Sequence, residues 1–260
     1  MGTRIGERKA IQDALERTLP SVTEVQVQER LAEVQERIAA AAGRAGREAD
    51  VIRIVGITKS HPADFVRAAH GAGLRLIGEN RIDEALPKRA ATDDLEDLDW
   101  HMVGHIQSRK ARTVVQVFDA VHSVDRFKIA DRLNRAAEQA ETRLPILLEC
   151  NVSGEVSKWG WPLTEQASWR EVTEEFARIC ELPNLEVRGL MTMAPMVVEA
   201  ERVRPIFKKL HALQTYLRRV IPGDWSELSM GMTEDYEIAV EEGATLLRIG
   251  RAIFGPRATG

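Results

Sequence analysis

Lys59 closes the apolar run VIRIVGITK at residues 51–59, and Pro62 stops that run shortly afterwards. An amine at the end of a buried strand can lose its water, drop in pKa and act as a nucleophile. The same position also suits a lysine that snorkels to the rim of a fold. A second group of residues lies near the C-terminus. Ser229, Met230 and Gly231 follow one apolar segment, and Gly250 follows the next. Glycines there let an anion approach backbone N–H groups, and a helix starting near Thr233 would aim its N-terminus at the same spot. Tight turns call for the same glycines.

A reactive amine beside a phosphate cradle is the pair of features that pyridoxal 5'-phosphate (PLP) needs, one for its aldehyde and one for its phosphate. Arg248 stands two residues before Gly250, so in a strand both face one way. An arginine there can hydrogen-bond a pyridine nitrogen and keep it unprotonated, which weakens the ring as an electron sink. It can equally pair with Glu241 or Glu242. Other candidates carry less. His101, His105 and His122 lack metal-ligand spacing, and His101 fits a packed core histidine. His61, His70 and His211 fall on turns or helices and are expected in solvent. Met191, Met193 and Met196 suit packing. Ser153, Ser157 and Lys158 could make a Ser–Lys hydrolase pair, but no nucleophile elbow accompanies them.

The elements that must position these residues follow from pattern. Strand candidates are 51–59, 74–80, 99–104, 120–125, 145–153, 186–193, 227–232 and 245–253, with helical periodicity in 126–141, 169–182 and 203–221. Their start-to-start spacing is near 28 residues, (245 − 51)/7, close to the roughly 30 of a βαβ unit. Eight strands alternating with helices predict a single (β/α)8 TIM-type barrel over residues 21–260. A doubly wound open sheet is the competitor, but no G-x-G-x-x-G follows the first strand. An extra N-terminal helix precedes the barrel. Ser21 and Glu24 have capping-box spacing, Leu31, Val34, Ile38 and Ala41 share a face, and Gly43 and Gly46 mark its end. Residues 1–20 are expected to be a polar tail. In a barrel the site lies at the strands' C-terminal ends, where Lys59, Asn80 and Gly250 fall. Strand parity puts Arg53 on the same face as Lys59, so either the regular strand begins near Ile54 or Arg53 occupies the opposite mouth.

The 260 residues hold 36 Lys and Arg against 40 Asp and Glu, for a net charge of −4, which disfavours a dedicated nucleic-acid binder. The hydrophobic fraction of 44% supports a sizeable core. No apolar run reaches membrane-spanning length, and the N-terminus has no secretory pattern. Cys150 and Cys180 form neither a metal-ligand set nor a disulfide framework. A cytoplasmic, monomeric globular protein is expected.

Ordered motifs at consistent spacing run from about residue 51 to 255: GITKSHP around Lys59, GEN at Gly78–Asn80, WHMVGHIQ from Trp100, HSVDR from His122, NVSGEVSKWG from Asn151, GLMTMAP from Gly189, SMGM from Ser229 and RIGRAIFG from Arg248. In these the chain resembles the PLP homeostasis proteins, the YggS/PROSC family, whose fold is similar to the N-terminal barrel of alanine racemase. The resemblance implies PLP as cofactor, held as an internal aldimine on Lys59. It also implies Asn80 and His101 beside the ring, Met191 lining the pocket, and Arg248 facing the pyridine nitrogen. Ser229, Met230, Gly231 and Gly250 would bind the phosphate, largely through backbone groups. Two positions depart from the family pattern. Arg109 replaces the usual Asn of G-x-L-Q-x-N-K. Arg251 replaces a small Thr or Ser, so that a charged head stands where a hydroxyl would meet the phosphate.

Three functions compete. The first is intracellular PLP binding and homeostasis with little or no turnover, with recipient PLP enzymes as partners. The second is a PLP-dependent amino-acid racemase. The third is a barrel aldolase that uses Lys59 without a cofactor. The alanine-racemase resemblance implies that racemisation needs a tyrosine from a separate C-terminal domain. Only seven residues follow the last expected strand, and Tyr216 and Tyr236 fall in expected helices. Homeostasis is therefore the expected reading.

Overall fold

Val55, Leu76, Leu147, Met191 and Leu246 form a small buried cluster of their own, separate from the main core, with Ile57 and Met193 packed against it. They come from five parallel strands whose alternate residues point into one barrel. In the computed structural model, which describes residues 24–155, 157–195 and 199–256, those strands are part of a closed ring. The ring consists of β1 (Arg53–Ile57), β2 (Leu76–Glu79), β3 (Asp99–Met102), β4 (Ala120–Val124), β5 (Leu144–Asn151), β7 (Leu185–Met191), β8 (Glu227–Ser229) and β9 (Leu246–Ile249). Each pairs in parallel with the next, and β9 returns to β1 with Val55 opposite Arg248. A two-residue strand, β6 (Trp161–Pro162), adds to β5 outside the ring. The eight-stranded barrel expected from the sequence is therefore present, and the open-sheet alternative is not.

The larger core lies between the strands' outer faces and the surrounding helices. These are α2 (Ala63–Gly71), α3 (Ile82–Ala91), α4 (Ala111–Val117), α5 (Phe127–Gln139), α6 (Gln166–Cys180), α7 (Arg204–Val220), α8 (Tyr236–Glu241) and the short α9 (Arg251–Phe254). Each presents an apolar stripe. In α5, Ile129, Ala130, Leu133, Ala136 and Ala137 are buried and the charged residues face out. The N-terminal helix α1 (Glu24–Arg44) buries Val27, Leu31, Val34, Ile38, Ala41 and Ala42. It lies over the seam where the first and last barrel units meet, against α2, α8 and α9. Arg37 and Arg44 pair with Glu237 and Glu241 of α8. Its expected cap, Ser21, lies outside the described residues.

Two differences from the sequence expectation bear on the site. The first strand ends at Ile57, leaving Lys59 in a turn rather than on the strand. The run 245–253 divides, so that 246–249 is strand and 251–254 is helix, broken at Gly250. In both cases the apolar run continues into buried loop or helix, and hydrophobicity alone does not mark the change. The parity question over Arg53 is also answered. It sits at the lower, N-terminal mouth of the barrel, paired with Glu227.

Candidate functional site

The turn that carries Lys59 is braced from behind by a buried polar network. Thr58 Oγ1 donates to Glu79 Oε1 at 2.5 Å. Lys88 Nζ, from α3, donates to the Thr58 carbonyl at 2.7 Å and to the same Glu79 carboxylate. Ser60 adopts φ +64°, in the left-handed region, and its N–H donates to Glu84 Oε2 at 2.7 Å. Burial pushes the Glu79 carboxyl above its ordinary value, and the hydrogen bonds from Lys88 and Thr58 oppose that. Breaking such a pair strands a buried charge, which costs about 3–5 kcal/mol. Lys88→Met is expected to lose stability of that order in urea denaturation; a loss of a few tenths, as for a surface pair, would show that the network does not brace the turn.

Above this turn, at the C-terminal mouth, lies a cavity of about 560 Å³. Lys59, Asn80, Arg248, Gly250 and Arg251 all line it, together with His61, Val103, Met193 and Asp235. Five residues singled out from sequence thus meet in one place. The Asn80 side-chain amide makes no hydrogen bond to another described residue and so is available to a ligand. Gly104 is required beside it, because a Cβ there would come within 2.2 Å of the Asn80 carbonyl oxygen.

Arg248 forms part of the cavity wall and is 5% exposed. Its Nη1 donates to Ser229 Oγ at 2.7 Å and its Nη2 to the Thr192 carbonyl at 2.9 Å. Among the described residues no carboxylate hydrogen-bonds or ion-pairs with it. Glu241 and Glu242, the acids that sequence offered as partners, pair instead with Arg204. Burial pulls the Arg248 guanidinium down to about 10, and the more distant Asp235 and Glu149 carboxyls oppose the shift. A buried cation with donors left over favours an acceptor placed in the cavity above it.

Part of the cavity wall is backbone: the N–H groups of Gly250 and Arg251, both lining residues, donate to no protein acceptor among the described residues. The Gly231 N–H is likewise unpaired among them, but Gly231 does not line the cavity. Gly231 has φ +93°, and a Cβ on it would fall 2.5 Å from Ala239 Cβ, so only glycine fits. Arg251 reaches Glu234 at 2.8 Å, and both side chains are more than half exposed at the rim.

Other residues lie elsewhere than expected. His101 does not line the upper cavity; its Nδ1 sits 2.8 Å from His122 Nε2, lower in the barrel. Met191 is fully buried in the inner cluster, and Met193 lines the cavity instead. Met230 is packed in the outer core and its amide donates to the Leu246 carbonyl, leaving no free donor. The Ser229 hydroxyl is engaged by Arg248 and His122. His61, expected in solvent, is buried against the Phe65 and Phe254 rings and lines the cavity. His70 pairs with Asp97. Lys158 donates to the Met193 and Ala194 carbonyls, and Ser157 to Glu155, so no Ser–Lys pair exists. Met196 lies outside the described residues. Asp235 and the inward-facing Glu149 are acids that sequence reading passed over; burial pushes Glu149 up to about 7. Parity along β5 would have flagged Glu149. A larger hollow, about 780 Å³, lies on the outside between α6 and α7, away from this cluster.

The comparisons with known proteins decide what lineage built this mouth. The sequence model of the alanine racemase N-terminal domain matches residues 30–258. The pyridoxal phosphate homeostasis protein of Aquifex aeolicus is 40% identical over 229 residues, covering 88% of this chain and 97% of that protein. The one from Pseudomonas aeruginosa is 41% identical over 234 residues, with 90% and 97% covered. The chain belongs to the pyridoxal phosphate homeostasis protein family. A solved family member, PipY of Synechococcus elongatus with PLP bound, is 33% identical with a TM-score of 0.77, over 88% of this chain and all of that one. Alanine racemase from Streptomyces lavendulae shares the fold alone, at 18% identity and a TM-score of 0.66, and this chain spans 59% of it. Among the described residues of this family member, no helix is long and apolar enough to cross a membrane.

Proposed function

We propose that the chain binds PLP in the upper cavity and serves intracellular PLP homeostasis, holding the cofactor through Lys59 with little or no turnover. The observation that carries this is the meeting of Lys59, Asn80, Arg248 and the unpaired Gly250 and Arg251 amides in one cavity of about 560 Å³. That volume is ordinary for a cofactor pocket. PLP supplies an aldehyde, a ring nitrogen and a phosphate. Lys59 Nζ meets the first, Arg248 the second, and the backbone amides with Arg251 the third. PLP held here would supply an aldehyde with which the Lys59 amine could condense with loss of water, a bond that hydrolysis would reverse. Reversibility suits a protein that holds a reactive aldehyde and releases it. The name of the Aquifex and Pseudomonas relatives and the PLP bound to PipY support the same reading. An aldolase using Lys59 alone would leave the arginine, the Asn80 amide and the backbone donors without a purpose. The reading carries with it a cytoplasmic protein, acting as a monomer, that hands PLP to recipient enzymes.

The test is the visible absorption spectrum on adding PLP, followed by borohydride reduction and peptide mapping. A new band, with label on the peptide containing residue 59, is expected; absence of binding would sink the proposal. The rim pair adds a finer test. Arg251→Ala is expected to weaken PLP about threefold, an exposed-charge effect, and to leave pyridoxal, which lacks phosphate, unchanged. Glu234→Ala should tighten PLP by removing the competing carboxylate. Equal effects on PLP and pyridoxal would place Arg251 away from the phosphate.

A further inference from the structure

Beneath Arg248 the barrel interior holds an unbroken polar column. Arg248 Nη1 lies 2.7 Å from Ser229 Oγ, Ser229 Oγ 2.9 Å from His122 Nδ1, and His122 Nε2 2.8 Å from His101 Nδ1. All four residues are buried, at 5%, 0%, 1% and 7% exposure. They come from four different strands or strand ends, β9, β8, β4 and β3, so the column crosses the barrel rather than following one element. Its lower end opens on a second cavity of about 240 Å³ at the N-terminal mouth, which His101 and His122 line with Arg53 and Asp99.

The direction of every proton in this column follows from one end. A guanidinium can only donate, so Ser229 Oγ must accept from Arg248. The hydroxyl proton then needs an acceptor, and His122 Nδ1 is the one within reach. A neutral His122 with a bare Nδ1 carries its proton on Nε2, where it donates to His101 Nδ1. His101 in turn carries its proton on Nε2, which has no described protein partner and belongs to the lower cavity. Neutrality is consistent with the surroundings. Burial, with Arg53 nearby, pulls the His101 ring down to about 4, and burial with His101 and Arg248 nearby pulls His122 well below its ordinary value.

We propose that His122, supported by His101, is a positioning residue for Arg248: by taking the Ser229 proton it keeps Ser229 an acceptor and so holds the guanidinium aimed at the upper cavity. The column explains why a buried arginine can stand without a carboxylate partner. Its Nη1 is met by a hydroxyl whose proton is drawn away downward, and its Nη2 by the Thr192 carbonyl. If the His122 acceptor is removed, the Ser229 proton has no outlet and the hydroxyl turns. Arg248 then loses the contact that fixes its plane. The functional part of this inference rests on PLP occupying the upper cavity; the tautomer part does not.

Two measurements separate them. In the protein without PLP, 15N chemical shifts of the imidazole rings are expected to show both His122 and His101 protonated on Nε2 only. A proton on Nδ1 of His122 would overturn the proposal whether or not PLP binds. In the protein with PLP, His122→Leu is expected to weaken binding roughly tenfold, the cost of one buried donor left unpaired, and to shift the visible band of the bound cofactor. His122→Asn places an amide oxygen near the former Nδ1 position and is expected to restore both affinity and band. Wild-type affinity and spectrum in a folded His122→Leu protein would overturn the role. So would an Asn variant no better than the Leu variant. Should His122→Leu fail to fold, Ser229→Ala, a smaller change in the same column, is expected to give the same loss and band shift, and an unaltered band there would be decisive against it.

Discussion

Lys59→Ala is expected to abolish borohydride-fixed labelling of the peptide that contains residue 59, and to lower PLP occupancy by about a hundredfold or more at limiting cofactor. Only an amine can form a reversible carbon–nitrogen bond with the aldehyde, and Lys59 is the lysine that lines the upper cavity. Lys88 is committed to the Glu79 carboxylate behind the turn. Lys158 is another amine near the cavity by connection, since it donates at 3.1 Å to the carbonyl of Met193, a lining residue. Its ammonium is already engaged by two carbonyls, at 3.1 and 2.6 Å. The amide donors and Arg248 remain in the variant, so weak noncovalent binding should persist. A full-strength visible band in Lys59→Ala, with label mapped to the Lys158 peptide, would overturn the assignment of Lys59 as sole attachment point.

Much of this site was legible in the sequence because barrel geometry converts position along a strand into position in space. Once eight apolar runs at near-regular spacing specify a barrel, their C-terminal ends must converge. Lys59, Asn80, Arg248, Gly250 and Arg251 do so. What failed was depth. Alternation says which residues point inward but not at which layer of the barrel they stop, and layer depends on strand stagger. His101 and Met191 point inward as expected, yet neither lines the upper cavity: His101 lines the lower one and Met191 packs in the inner apolar cluster. Met230 illustrates a different limit, because its usefulness to a phosphate would rest on a backbone amide that the β9 carbonyl of Leu246 already occupies. A turn position suggests solvent for His61, whereas the Phe65 and Phe254 rings pack against it. The buried Glu79–Lys88 pair was also invisible. Nothing in the spacing of an acid on a strand and a base on the next helix says that both are turned into the same dry interface.

With PLP bound, the protein is expected to racemise amino acids negligibly. Racemisation takes the α-proton from one face of the bound substrate and returns a proton to the other, so it needs acid–base groups on both faces. Lys59 can serve one face. The alanine-racemase resemblance points to a tyrosine for the other, and neither tyrosine of this chain reaches the cavity. Tyr216 lines the outer hollow between α6 and α7. Tyr236 faces α1, with the Arg37 guanidinium 5.3 Å from its ring centre. The remaining titratable groups of the cavity are placed for other work. Asp235 accepts the Met232 N–H at 2.6 Å, Glu234 holds Arg251, and His61 is wedged between two phenylalanines. The electronics point the same way. Arg248 can only donate, so a ring nitrogen placed opposite it would stay unprotonated and withdraw electrons weakly, which would raise the barrier to losing the α-proton. The column beneath Arg248 is consistent with this, because the guanidinium is met there by a hydroxyl and a backbone carbonyl and by no described carboxylate. Chiral analysis of alanine and other amino acids incubated with PLP-loaded protein checks the expectation. Turnover of about one per second or faster, the range of ordinary enzymes, would show that a second acid–base group reaches the cofactor, with His61 the first residue to replace in identifying it.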